Sequence, residues 1–147
     1  EQQIRELDKL ISETMNELNS VIMSVPGIGY INGAMILGEI GDIRRFKNSA
    51  KLLAFAGLDP TVCQSGKFTA KSTKMSKRGS KMLRFALINA AWQITLHDKT
   101  FNDYYDLKRS QGLNHYGALG HVAHKLVRVI FKLLKDNISF VSSDIPA

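Results

Sequence analysis

A single cysteine, Cys63, stands in 147 residues, so no internal disulfide can close and a disulfide-stapled scaffold is excluded. No secretory signal precedes the first helical pattern, and together these two absences predict a reducing, cytoplasmic setting. No stretch approaches the ~20 uninterrupted apolar residues of a membrane span, which predicts a soluble chain with no membrane partner. The sequence also lacks an initiator methionine and opens on Glu1 inside a helical pattern, as a fragment of a longer protein would. Internal repeats and a second domain are absent, leaving one domain with a helical extension.

Acidic residues are missing where they would matter most. Between Lys67 and Arg84 there are seven basic residues (Lys67, Lys71, Lys74, Lys77, Arg78, Lys81, Arg84) and no Asp or Glu. These seven account for the whole net charge of +7, since the rest of the chain balances. An excess confined this sharply suits a polyanion, because each cation that neutralises a phosphate releases condensed counterions. A solvated lysine-rich loop is the plain alternative.

Apolar periodicity predicts an all-α fold. Ile4, Leu7, Ile11, Leu18 and Val21, interrupted at Thr14, form a heptad-like seam on an amphipathic helix over residues 1–24, which packs on a second helix or on the domain's own core. Pro26, Gly27 and Gly29 break it, the two glycines permitting positive φ. Helix resumes from Tyr30 to Ile40, with Gly41 as its C-terminal stop. Helix, Pro-Gly-Ile-Gly turn and helix make a helix-hairpin-helix pattern, in which amides at Gly27 and Gly29 would receive a backbone phosphate. A tight turn used only for packing is the alternative. Further helices are predicted from Ala50 to Ala56 capped by Ser49, from Ser80 to about Leu96, from Phe101 to Arg109 capped by Asp98 or Thr100, and from Ala118 to Lys135. Between Gly57 and Gly79 periodicity vanishes, giving a long basic loop with a mildly strand-like Lys67-Phe68-Thr69.

Carboxylates are too few in that loop for metal chemistry, Asp59 being its only acid. The four histidines (His97, His115, His121, His124) and Cys63 lack paired-ligand spacing, so no metal site is expected. A hydroxyl nucleophile remains. Ser65 is followed by Gly66, whose missing side chain lets a substrate backbone approach, and Lys67, Lys71 and Arg84 could stabilise charge growing on a phosphate. Ser-Gly is also a common turn, and Thr69, Ser72, Thr73 and Ser76 are rival hydroxyls.

Several blocks in register carry a resemblance: Val25-Pro26-Gly27-Ile28-Gly29, Phe46-Lys47-Asn48-Ser49, Ala56-Gly57-Leu58-Asp59-Pro60, Gln64-Ser65-Gly66-Lys67, Ser76-Lys77-Arg78-Gly79 and Leu83-Arg84. From about Ile22 to Phe140 the chain resembles the C-terminal transposase domain of the "one-ten" insertion-sequence family, which includes Piv-type DNA invertases and bridge-RNA-guided recombinases. The resemblance implies a coiled-coil end over 1–24 and a transposase domain over 25–140, while the terminal residues 141–147 themselves read as a disordered tail. It implies Ser65 as the nucleophile of a transesterification, with Ser76 as fallback, and DNA, a guide RNA and a homo-oligomer formed through the first helix as partners. Lys67, Lys71, Lys74, Lys77, Arg78, Lys81 and Arg84 would grip nucleic acid. It further implies a RuvC-like N-terminal domain holding Mg²⁺ through an acidic tetrad that no residue here matches, so this part alone would need no cofactor and would bind without cutting. A nucleoid-associated bacterial location follows from the same resemblance.

Overall fold

The structure is a computed structural model that describes residues 1–60, 64–65, 68–69 and 75–142. Six helices dominate, as the periodicity predicts: α1 (Gln2–Leu18), α2 (Tyr30–Ile40), α3 (Ser49–Phe55), α4 (Lys81–His97), α5 (Lys99–Ser110) and α6 (His115–Asp136). A two-residue antiparallel pair, β1 (Gln64–Ser65) and β2 (Phe68–Thr69), stands between α3 and α4.

α4 is the hub, packing against α2, α5 and α6, while α1 lies on α2 and α3 on α6. Its Leu83, Ala86, Leu87, Ala90, Ala91 and Ile94 are buried, and the alanines let the neighbouring helices come close. α6 contributes Val122, Ala123, Leu126, Val127 and Ile130 to the same core. Asn32 on α2 donates from Nδ2 to the carbonyl of Ala86 at 3.0 Å, tying the two central helices by more than apolar contact. No buried side-chain polar atom among the described residues lacks a partner.

Helix ends refine the sequence reading. α1 stops at Leu18, where Asn19 adopts a left-handed cap (φ 48), and the predicted continuation to residue 24 is instead a 3-10 turn over Val21–Ser24 opened by the Ser20 side chain. Asparagine tolerates that conformation better than most residues, which is why the apolar seam runs past a real helix end. α3 is capped by Asn48, one residue before the predicted Ser49. Ser80 caps α4 and Asp98 caps α5, as read from the sequence. α6 starts three residues earlier than Ala118, capped by Asn114.

Val141 and Ser142, placed by the sequence in a disordered tail, belong to the described fold. Ser142 Oγ donates to the buried Asp98 carboxylate at 2.9 Å, and the Phe140 amide donates to Ser24 Oγ at 2.8 Å. Residues 143–147 of that tail lie outside the described residues.

Candidate active site and nucleic-acid interface

The two ends of the 57–79 segment are sewn together. The amide of Ser76 donates to the Asp59 carbonyl (2.8 Å), that of Lys77 to Gly57 (3.0 Å) and that of Ser80 to Phe55 (2.8 Å), and Pro60 bridges Met75. Two glycines make this approach possible. A Cβ on Gly57 would sit 2.5 Å from the Arg78 carbonyl oxygen, and one on Gly79 would sit 2.2 Å from that of Phe55, while both residues have positive φ. Ser76 Oγ adds a short bond of 2.5 Å to the Asp59 carboxylate. The result is a stem that holds residues 55–60 against residues 75–80.

Three further side chains fasten this stem to the helical body. The Nε2–H of His124 on α6 donates to the Leu58 carbonyl at 2.5 Å, because a carbonyl can only accept. Arg84 on α4 reaches the Ala56 carbonyl at 3.5 Å. Ser80 Oγ donates to Glu39 on α2 at 2.7 Å while accepting from the Leu83 amide. Behind it, Arg45 donates to the last carbonyls of α2, Ile40 and Glu39, and lies over the rings of Phe46 and Phe55. A cation at a helix C-terminus is favourable in its own right, and here it also packs α2 against α3.

Ser65 lies in β1, its backbone paired with Phe68 of β2. Gly66, Lys67, Lys71 and Lys74 lie outside the described residues. Lys77, Arg78 and Lys81 are exposed on the stem and at the start of α4, and Arg84 is half-buried beside them. Lys77 holds a left-handed conformation (φ 52), unusual for a residue with a side chain.

The Pro-Gly turn is elsewhere. Gly27 (φ 84) faces α4 so closely that a Cβ would meet Gln93 Cβ at 2.7 Å, which gives this glycine a packing role. Gly29 has an ordinary φ of −85 and open space around it, so of the two glycines only Gly27 uses the positive φ that both permit. It precedes α2 without supplying a side-chain cap, leaving the helix start open to solvent. Gln93 is twelve residues along α4 from Lys81, roughly 18 Å at 1.5 Å per residue. The turn and the basic stem are thus two places on one surface.

Sequence reasoning passed over the groups that build the stem. Asp59 and His124 bear on the sequence reading only as possible metal ligands, and no group of three His, Cys, Asp or Glu among the described residues could hold a metal. His121 titrates low, chiefly through burial and then through Lys108 and His124. Tyr105 meets His115 Nδ1 at 2.7 Å, so that histidine too has a structural partner.

The sequence profile of the Transposase IS116/IS110/IS902 family matches residues 19–106, which covers the turn, the stem and most of α5. The chain belongs to this family. A protein of insertion element IS110 from Streptomyces coelicolor is 32% identical over 130 residues, spanning 88% of this chain and 32% of that protein. The transposase for insertion sequence element IS1111A of Coxiella burnetii is 32% identical, covering 86% of this chain and 38% of its own length. The pilin gene-inverting protein of Moraxella bovis is 28% identical, covering 93% and 45%. This transposase-family chain therefore spans about a third to under a half of the relatives' lengths. No helix among its described residues is long and apolar enough to cross a membrane.

Proposed function

We propose that the chain is the serine-bearing, DNA-gripping part of a transposase or DNA invertase. The observation that supports this reading is the family match, which spans both the stem and the β1–β2 pair that contains Ser65, with exposed Lys77, Arg78 and Lys81 on the stem and the start of α4. In the proposed reaction Ser65 Oγ attacks a DNA phosphorus. A phosphoserine bond forms, the bond to the departing 3′ oxygen breaks, and that oxygen gains the proton the serine gives up. The 3′-hydroxyl of another strand reverses the step, so no energy-rich cofactor is consumed.

Lys77, Arg78, Lys81 and Arg84, with Lys67, Lys71 and Lys74, would neutralise strand phosphates. The open start of α2 behind Gly27 and Gly29 would take one more by its amides, the helix-hairpin-helix role. Magnesium ions would come from a RuvC-like domain, since no ligand cluster stands among the described residues. A guide RNA would share the basic face. The chain alone is expected to bind DNA in a salt-sensitive way without cutting it, and robust metal-dependent cleavage by it would overturn this division of labour.

The test compares two serines in a full-length relative carrying this domain. Ser65→Ala is expected to abolish strand cleavage and the covalent adduct while leaving DNA affinity and melting temperature within error. Ser76→Ala removes a bond that fixes the stem, so it should lower stability by about 1–2 kcal/mol and leave the adduct detectable. An adduct that survives Ser65→Ala but not Ser76→Ala would transfer the nucleophile to Ser76, which already faces the Asp59 carboxylate.

A second reading has its own observation. Ile4, Leu7 and Leu10 on α1 are 64%, 57% and 58% exposed, an apolar edge that the other described residues leave largely uncovered. It would serve pairing with another helix, including that of a second copy.

A further inference from the structure

Beside the stem lies a cavity of about 620 Å³, lined by Met75, Lys77, Lys81, Met82, Arg84, Phe85, Ile88 and Tyr116. This volume falls within the ~300–1,000 Å³ common for ligand sites. Its floor is apolar and its rim cationic, with no carboxylate among the lining side chains. Met82, Phe85 and Ile88 follow α4 at helical spacing on the face opposite its buried Leu83, Leu87 and Ala90. Met82 is 52% exposed, Phe85 59% and Tyr116 73%, although each carries a large apolar surface.

Three cations around exposed aromatic rings fit a ligand that is both anionic and flat-faced. A protein helix would cover the apolar floor but would need acids at three points of the rim. A DNA duplex would satisfy the cations but keeps its base faces stacked away. An unpaired DNA strand offers both parts, since its bases stack on aromatic side chains while its phosphates meet Lys and Arg.

Resting on the proposed DNA-handling role, we infer that this cavity is a seat for an unpaired DNA strand. Phe85 and Tyr116 provide stacking surfaces, Met82 and Met75 provide an adaptable floor, and Lys77, Lys81 and Arg84 hold the adjoining phosphates. Strand cleavage and rejoining expose unpaired bases next to the nucleophile. A seat beside the stem would hold the strand while its partner is exchanged.

The experiment uses the 147-residue chain and one 12-nucleotide DNA carrying a single 2-aminopurine, presented as a single strand, as a duplex and as the matching RNA. For the single strand, Phe85→Ala and Tyr116→Ala are each expected to weaken binding on the order of tenfold, and the 2-aminopurine fluorescence should change on binding to the wild-type chain. Duplex affinity should stay within about twofold, because it depends on charge. Phe85→Trp should retain single-strand binding, and since Phe85 and Tyr116 are exposed, their variants should melt with the wild type. Equal single-strand affinity in the Phe85→Ala, Tyr116→Ala double variant would overturn the inference, as would equal losses on single strand and duplex. Tighter RNA binding that Phe85→Ala abolishes would overturn the assignment to DNA. Self-association lost in Phe85→Ala with DNA binding unchanged would make the patch a protein interface and overturn it too. A chain that binds neither strand nor duplex would instead sink the DNA-gripping role on which the inference rests.

Discussion

Lys77 combines an exposed charge with a conformational cost. Its left-handed backbone (φ 52) costs roughly 1–2 kcal/mol for a residue with a Cβ, and the Gly57 bond to its amide is part of what holds it there. Glycine would relieve that cost while adding roughly 0.5–1 kcal/mol of unfolded-chain entropy, so the two nearly cancel or favour the fold. Lys77→Gly is therefore expected to melt at or above the wild type. Its duplex affinity should fall, with the slope of log affinity against log salt reduced by about 0.9 for one lost phosphate contact. Lys77→Ala removes the same charge without the relief and should melt below Lys77→Gly. Thermal unfolding and anisotropy titrations over salt check both points, and an unchanged salt slope would remove Lys77 from the interface. Nothing in the sequence marks this strain, because a lysine between Ser76 and Arg78 reads only as charge. Gly57 and Gly79 were legible as punctuation, yet the reason for them is a contact between two segments twenty residues apart.

At the level of elements, what could be read was what depends on local chemistry. The caps Ser80 and Asp98, the Gly41 stop and the apolar faces of α4 and α6 are set by residues a turn apart. α1 was over-extended because Val21 keeps the seam's spacing while Asn19 ends the helix through backbone conformation alone. Phe85 and Met82 carried a usable signal, as apolar residues off the buried face of α4. α6 shows how a helix carries both core and stem contacts: His124 reaches the Leu58 carbonyl, and His121, three residues before it, feels the charge of Lys108 on α5. His121 is held below the usual imidazole value of 6.5, first by burial and then by Lys108 and His124. The unfolded chain thus binds the proton more readily, and stability should rise with pH between the lowered folded value and about 6.5. Below that window the penalty is complete; above it the group contributes nothing. His121→Gln should flatten this part of the melting-temperature profile between about pH 5 and 7, measured by calorimetry in constant ionic strength. A profile of unchanged slope would assign the dependence to other groups.

For the whole molecule, magnitudes decide what the apolar edge of α1 can do unaided. Fully burying a large aliphatic side chain is worth about 1.5–3 kcal/mol, so covering the exposed half of Ile4, Leu7 and Leu10 on two copies yields roughly 5–9 kcal/mol. Association costs at least about 4 kcal/mol in lost freedom, and the net positive charge of +7 on each copy adds repulsion. The remainder corresponds to a dissociation constant on the order of millimolar. The 147-residue chain should therefore run as a monomer at micromolar concentration, with association emerging only near millimolar and strengthening with salt as the repulsion is screened. Replacing Ile4, Leu7 and Leu10 together by Glu should remove that association without lowering the melting temperature, since the three side chains contribute little to the core. Neutralising the exposed cations of the stem should leave association intact or strengthen it. Sedimentation across the concentration range distinguishes these cases, and a triple variant that still self-associates would place the contact on another face. Salt would then separate the two proposed roles, because raising it should weaken binding to DNA while strengthening pairing through α1.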